Sequence, residues 1–230
     1  MKSLISGVTV FPSYMVDYDR KKTVCITGHR KSKITPYNNS TVYNAITYSA
    51  IRLMLYRYID MAIDAGYENF ISGLANGTDL WAAEYILMKK LRNSRIKLIS
   101  VMPFLRHAEF FSVYDRNALA EIEKKSDYLV TVNENPDITY GKIQSEKSSP
   151  NLYRDRNYYM VDNSSAVIAF IDDKLRYSGT SQTINYAYRN GRKIHSFSMD
   201  EISDIISRHG ADIRSIGYEI AFIENVFTPD

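Results

Sequence analysis

An α/β protein with a Rossmann-like open, mainly parallel sheet and helices on both faces is what this sequence predicts. Short apolar, β-branched runs recur along the chain, segments of helical period separate them, and glycine turns stand where strand gives way to helix. Strands separated by helices need crossover connections, which is how parallel strands are joined.

Residues 1–20 read as an N-terminal arm. Thr23, Val24, Cys25, Ile26 and Thr27 then form a buried strand that stops at Gly28. Over 41–65, Ile46, Ala50, Leu53, Met54 and Met61 fall near one face of a helix, and Gly66 supplies its stop. A second strand is expected at 69–72, ending at Gly73. A helix follows over 79–91, with Asp79 as its N-cap. Residues 95–101 form a third strand closed by Pro103, then a helix over 107–125 and a strand over 128–132. The stretch 133–151 has no periodicity and contains Pro136, Gly141 and Pro150, so it reads as a mobile loop or lid. A short helix from about Leu152 leads into the most apolar strand, 166–171. A helix over 180–189 and a last strand over 193–197 complete a unit spanning 21–200. Residues 201–230 read as a C-terminal helical extension.

In an open parallel sheet, ligands sit beyond the carboxyl ends of the strands. Three glycine-bearing turns fall there. The first carries Gly28, His29 and Arg30. The second carries Ser72, Gly73, Asn76, Gly77 and Asp79, and the third Ser178, Gly179, Thr180 and Thr183. Glycine lets backbone approach a ligand, and the free N–H groups of a helix start point at an anion. The expected anion donors are therefore the N–H groups of Gly28, Gly73, Gly77 and Gly179, with Asn76, Thr180 and Thr183 adding neutral hydrogen bonds. Taken singly, each turn is equally a plain strand-to-helix connection. Neither GxxxxGK[ST] nor GxGxxG occurs at them, which weighs against a P-loop NTPase and a dinucleotide dehydrogenase. Arg30, Arg154 and Arg156 are candidates to clamp phosphate oxygens, and Phe104 and the Tyr158-Tyr159 pair to stack on a base. The plainer role for Arg154 and Arg156 is a solvated helix start, with Asp155 as their local partner. Cys25 reads as core, and Trp81 as helix-to-sheet packing.

Composition narrows the classes. The 230 residues are 45% hydrophobic and 24% charged, and 29 basic against 26 acidic residues leave a net charge of +3. That balance predicts no nucleic-acid partner, which would require a basic face. One cysteine excludes a disulfide framework, no apolar run suits a bilayer, and no spacing suits a metal, so neither cofactor nor metal is expected. A cytoplasmic location fits the single cysteine. Nineteen tyrosines suggest surfaces for stacking or for homo-oligomer contacts.

The run Cys25-Ile-Thr-Gly-His-Arg30, with Ile71-Ser-Gly-Leu-Ala-Asn-Gly-Thr-Asp-Leu-Trp-Ala-Ala-Glu84, resembles the YpsA-like branch of the SLOG superfamily. So do Met102-Pro-Phe104, Tyr153-Arg-Asp-Arg-Asn157 with Met160-Val-Asp162, and Ser178-Gly-Thr180 with Thr183. SLOG proteins include the LOG phosphoribohydrolases, the DNA-processing DprA proteins, and sensors of NAD-derived signals such as cyclic ADP-ribose isomers. The resemblance implies a nucleotide-type ligand over the three turns, with Arg156 and Asn157 beside it. It also exposes a departure. Where the LOG pattern PGGxGTxxE carries its catalytic glutamate, this chain has Thr183. Asp162, Glu84 and Asp79 are the candidate replacement acids, each requiring a rearranged pocket. The resulting expectation is a small-molecule binder that does not cleave its ligand, acting as a stand-alone sponge or sensor in bacterial or phage defence signalling. The alternatives are a LOG-like hydrolase and a regulatory protein-interaction module.

Overall fold

The computed structural model describes residues 1–138, 149–175 and 177–227. In chain order the elements are β1 (Phe11–Pro12), β2 (Thr23–Thr27), α1 (Asn44–Asp64), β3 (Asn69–Ser72), α2 (Thr78–Lys90), β4 (Lys97–Met102), α3 (Val113–Lys125), β5 (Tyr128–Thr131), α4 (Ser149–Asp162), β6 (Ala166–Ile171), α5 (Gly179–Arg189), β7 (Lys193–Ser198), α6 (Met199–His209) and α7 (Ile213–Ala221). The strands form one seven-stranded sheet in the order β1-β5-β4-β3-β2-β6-β7. Every pairing within it is parallel, as the strand–helix alternation requires.

Strand alternation assigns the two faces. Val24 and Ile26 of β2, with Phe70, Leu98, Ala166, Ile168 and Phe170, join the layer built from α1, α2, α3, α6 and α7. Cys25, Ile71, Ile99, Val101, Val167 and Ala169 point the other way, onto Met160 and Val161 of α4 and Ala187 of α5. The central strands are therefore apolar on both sides, the expected composition of a covered parallel sheet. Cys25 lies fully buried as a core residue. Burial pushes its thiol up to about 12, and the Ser164 hydroxyl donates to its sulfur at 3.3 Å.

Both terminal segments belong to this packing. Val10 is buried, Ser3 donates to Glu123 of α3 at 2.5 Å, and Phe11 and Pro12 pair with Val130 and Thr131 as an edge strand. A two-residue strand carries no periodicity, so the sequence does not announce it. At the other end Ser198 and Glu201 form a capping box that launches α6 directly from β7. Ile202, Ile205, Ile206, Ile216 and Ile220 then enter the main core.

Three local expectations are corrected. The helix expected over 107–125 starts only at Val113, because Ser112 caps it by accepting from the Asp115 N–H at 3.1 Å. Asp79 is not an N-cap: α2 begins at Thr78 behind Gly77, and the Asp79 carboxylate is used elsewhere. The helix after the irregular stretch begins at Ser149, before Leu152. The lid expected over 133–151 lies largely outside the described residues. Among the described residues no helix is long and apolar enough to cross a membrane.

The inward placement of α6 carries a prediction. Ile206 is fully buried, so Ile206→Ala should cost about 2–5 kcal/mol in chemical denaturation. A loss under about 0.5 kcal/mol, the range of ordinary surface substitutions, would show that α6 is not part of the core.

Candidate functional site

The chain leaves β2 through α1 to β3 on one side, and leaves β6 through α5 to β7 on the other. The carboxyl ends of β2 and β6 therefore diverge, and a crevice opens at this switch point. A cleft of about 1260 Å³ occupies it. Its floor is Ile26, Thr27 and Gly28, and its walls come from the turn after β6, the start of α5 and one face of α4. Among the described residues six cations line it, Arg30, Lys33, Arg154, Arg156, Lys174 and Arg189, against the carboxylates of Asp79 and Asp173. An anion entering this space meets a surplus of positive charge.

The four expected glycine donors separate into distinct roles. A Cβ at Gly28 would meet the Thr78 side chain at 2.6 Å, and one at Gly77 would meet the Lys31 backbone nitrogen at 2.5 Å. Gly77 also adopts φ +105, which a side chain would resist. These glycines let the segment after β2 close onto the start of α2. Arg30 and Gly77 form a β-bridge, and Thr78 donates both its N–H and its hydroxyl to the His29 carbonyl. The N-terminus of α2 is thus occupied by protein.

Gly73 makes room for a buried ion pair: a Cβ there would overlap the Arg156 guanidinium and stand 2.7 Å from Asp79 Oδ2. Gly179 differs, since only Asn157 Nδ2 lies nearby, at 3.9 Å. The first N–H groups of α5 have no carbonyl within their own helix, the Ser181 N–H is taken by the Ser178 side chain, and Gly179 and Thr180 line the cleft. Of the three turns, only the third has this open geometry.

Around α5 the side chains are ordered by one another. Ser178 caps the helix by accepting from the Ser181 N–H at 3.2 Å. Thr183 donates to the Gly179 carbonyl at 2.7 Å and accepts from Asn157 at 2.9 Å, which ties α4 to α5 under the cleft. Deeper in, Arg156 of α4 reaches Asp79 of α2 at 3.3 Å, and both are almost fully buried. Asp79 also accepts from the Ala75 N–H at 3.3 Å. Burial pushes the Asp79 carboxyl up, while Arg156, the Ala75 N–H and Arg30 oppose that push. Arg156 Nε has no partner among the described residues.

His29 is buried, stands edge-on to Phe170, and accepts the Asp172 N–H on Nε2 at 3.0 Å. Burial pushes its pKa down, with Asp172 opposing, so the ring is neutral and its proton sits on Nδ1. It shapes the wall and supplies no positive charge. Arg30 lies over the Tyr153 ring at 4.9 Å, and Arg154 pairs with Asp155 at 3.2 Å. Tyr158 stacks face to face on Tyr186 at 3.7 Å, and both line the cleft. That pair joins residues on two helices, and sequence reasoning missed Tyr186. Tyr159 turns the other way and donates its hydroxyl to the Ser13 carbonyl at 3.2 Å.

Other expected site residues lie elsewhere. Ser72 is buried and donates to the Asp79 carbonyl at 2.8 Å. Asn76 donates to Asp115 at 2.5 Å and faces a smaller cavity next to the cleft. Phe104 is fully buried with Ile138 and Leu152, away from any base. Of the candidate acids, Glu84 pairs with Arg52 at 3.7 Å on the α1 side, and Asp162 accepts the Tyr186 hydroxyl at 3.0 Å at the end of α4. Neither lines the cleft. Among the described residues no three His, Cys, Asp or Glu side chains converge as a metal would require.

The family model for the YspA SLOG family matches residues 24–203, the whole unit that carries this cleft. The chain belongs to the YspA SLOG family. A UPF0398 protein of Macrococcus caseolyticus is 26% identical over 192 residues, covering 82% of this chain and 96% of that protein. The SPbeta prophage-derived protein YoqJ of Bacillus subtilis is 31% identical over 121 residues, or 51% of this chain and 68% of the relative. Among solved structures, DNA processing protein A of Streptococcus pneumoniae aligns with a TM-score of 0.47 and 16% identity. That alignment covers 86% of this chain, which spans 61% of the other. SLOG membership suggests a nucleotide-related binding or processing role.

Denaturation tests the buried charges and rings. Arg156→Ala leaves the Asp79 carboxylate buried without its partner, so it should register a loss of about 3–5 kcal/mol. A small loss would mean the pair is not structurally coupled. His107 is buried and its pKa is pushed down to about 3 by burial, then by Arg156 and Arg30. Its folded pKa lies below the ordinary 6.5, so the unfolded chain takes up the proton first. Its contribution to stability should fall as pH drops from about 6.5 toward 3, by up to about 1.4 kcal/mol per unit. A His107→Gln variant should show a shallower acid dependence, and an unchanged slope would remove His107 as its source.

Proposed function

We propose that the cleft binds a nucleotide-derived small molecule of the ADP-ribose class and holds it without cleaving it. The protein then acts as a sponge or sensor for that molecule in bacterial or phage defence signalling. The observation that carries this reading is the open N-terminus of α5 facing a cleft in which cations outnumber carboxylates. A phosphate fits that helix start and charge, and the Tyr158–Tyr186 stack offers an aromatic surface at the same cleft.

Non-cleavage is supported by what the acid positions contain. Thr183 stands where LOG enzymes carry their glutamate, and its hydroxyl is engaged by Asn157 and Gly179. Glu84 and Asp162 are not among the residues that line the cleft. Asp79 and Asp173 remain as lining carboxylates, and Arg156 holds Asp79. That contact favours one second reading: Asp79, beside an arginine and raised by burial, is the acid of an N-glycosidic hydrolase. The prophage origin of one relative supports beginning with signals exchanged between phage and host.

Titration calorimetry with AMP, ADP-ribose and cyclic ADP-ribose isomers, followed by mass spectrometry of the recovered ligand, separates the readings. A binder saturates with one of these probes and returns it intact. Arg30→Ala should then weaken binding by about 1.5–3 kcal/mol, the worth of a charge-assisted hydrogen bond. Absence of saturable binding to every probe overturns the proposal. Release of free base by wild type, lost in Asp79→Asn, establishes the hydrolase instead.

A further inference from the structure

A second cavity of about 440 Å³ adjoins the cleft, and the two share Arg30 and Tyr153 as common wall. Its composition differs from that of the cleft. Phe110, Phe111 and Tyr48 supply aromatic surface, with Phe110 70% exposed at the rim. Asn76 and His107 supply the neutral polar groups. The Asn76 amide nitrogen is committed to Asp115, which leaves its carbonyl oxygen as the acceptor it can offer. His107 is buried against Phe111, and in its neutral form one ring nitrogen donates and the other accepts. Among the described residues its positive charge comes from Arg30, held over Tyr153, and Lys31, held 5.3 Å over Tyr48.

Aromatic faces with one amide oxygen and one neutral imidazole suit a heteroaromatic base, which stacks and hydrogen-bonds through its edge. The cations beside them suit a phosphate. The main cleft, at about 1260 Å³, already exceeds the ~300–1,000 Å³ usual for one small-molecule pocket. A ligand with a single base leaves the second cavity unused.

We infer that the ligand carries two nucleobases, one in each cavity, joined through phosphate that crosses at Arg30. The inference rests on the nucleotide reading of the main cleft and adds a second base to the ADP-ribose-class ligand, which makes it a dinucleotide, with Phe110, Asn76 and His107 receiving that base.

The test is calorimetry on the full chain with AMP and with the linear dinucleotide pApA. Wild type should bind pApA at least about tenfold more tightly than AMP, the gain expected from one added stacked base. Phe110→Ala and Lys31→Ala alter exposed side chains, and each should collapse the pApA-to-AMP affinity ratio toward one. Equal affinity for the two probes in wild type, or a ratio untouched by both variants, overturns the second-base assignment while leaving AMP binding and the main-cleft reading in place. If neither probe binds while ADP-ribose or a cyclic isomer does, the second-base assignment falls and the main-cleft reading stands; if those fail as well, both fall. Oligoadenylates extend the test: affinity that keeps climbing from two to about ten nucleotides would identify a nucleic-acid strand as the ligand and overturn the dinucleotide assignment.

Discussion

The buried contact between Arg156 and Asp79 is the constraint around which the site is arranged. Two oppositely charged groups held out of water are tolerable only when each satisfies the other, and separating them leaves an uncompensated charge. The contact joins α4, on one face of the sheet, to the start of α2, packed on the other, across the end of the strands. Gly73 is required beneath it because any side chain there would occupy the guanidinium's place. The loop from Ser72 to Asp79 is drawn around the same pair: Ala75 donates to the carboxylate, Ser72 donates to the Asp79 carbonyl, and Leu74 adopts a left-handed φ of 59.

With that loop committed to protein contacts, the open space lies on the other side of the switch point. The segment after β2 closes onto α2 through the Arg30–Gly77 bridge and the Thr78 hydrogen bonds. The start of α5 is left open, with Thr180 and Gly179 at the cleft. The resulting asymmetry explains why three similar-looking turns do three different things. One lines the open cleft, one holds an ion pair, and one docks against its neighbour.

The elements of the sheet were legible because apolar runs bounded by glycine have few other folds available to them. The strand at 23–27 matches the structure residue for residue, and the strand at 166–171 does too. Less legible were features fixed by a single side chain. Ser112 caps α3 and moves its start to Val113. At the site, residue type alone could not separate Arg154, whose pair with Asp155 is partly exposed, from Arg156, whose pair with Asp79 is almost fully buried. The Tyr158–Tyr186 stack was equally hidden, since its members lie 28 positions apart on separate helices.

By itself, the sequence determined the class of fold, the order of its strands along the chain, the family motifs and the absence of a glutamate at Thr183, since each of these is a matter of local pattern. Tertiary structure alone decided which glycines line the cleft, which acids reach it, and that a second cavity shares Arg30. The physical reason is that these properties depend on distances between residues remote in sequence. Asp79 and Arg156 stand 77 positions apart and meet at 3.3 Å only because the sheet brings α2 and α4 to the same edge.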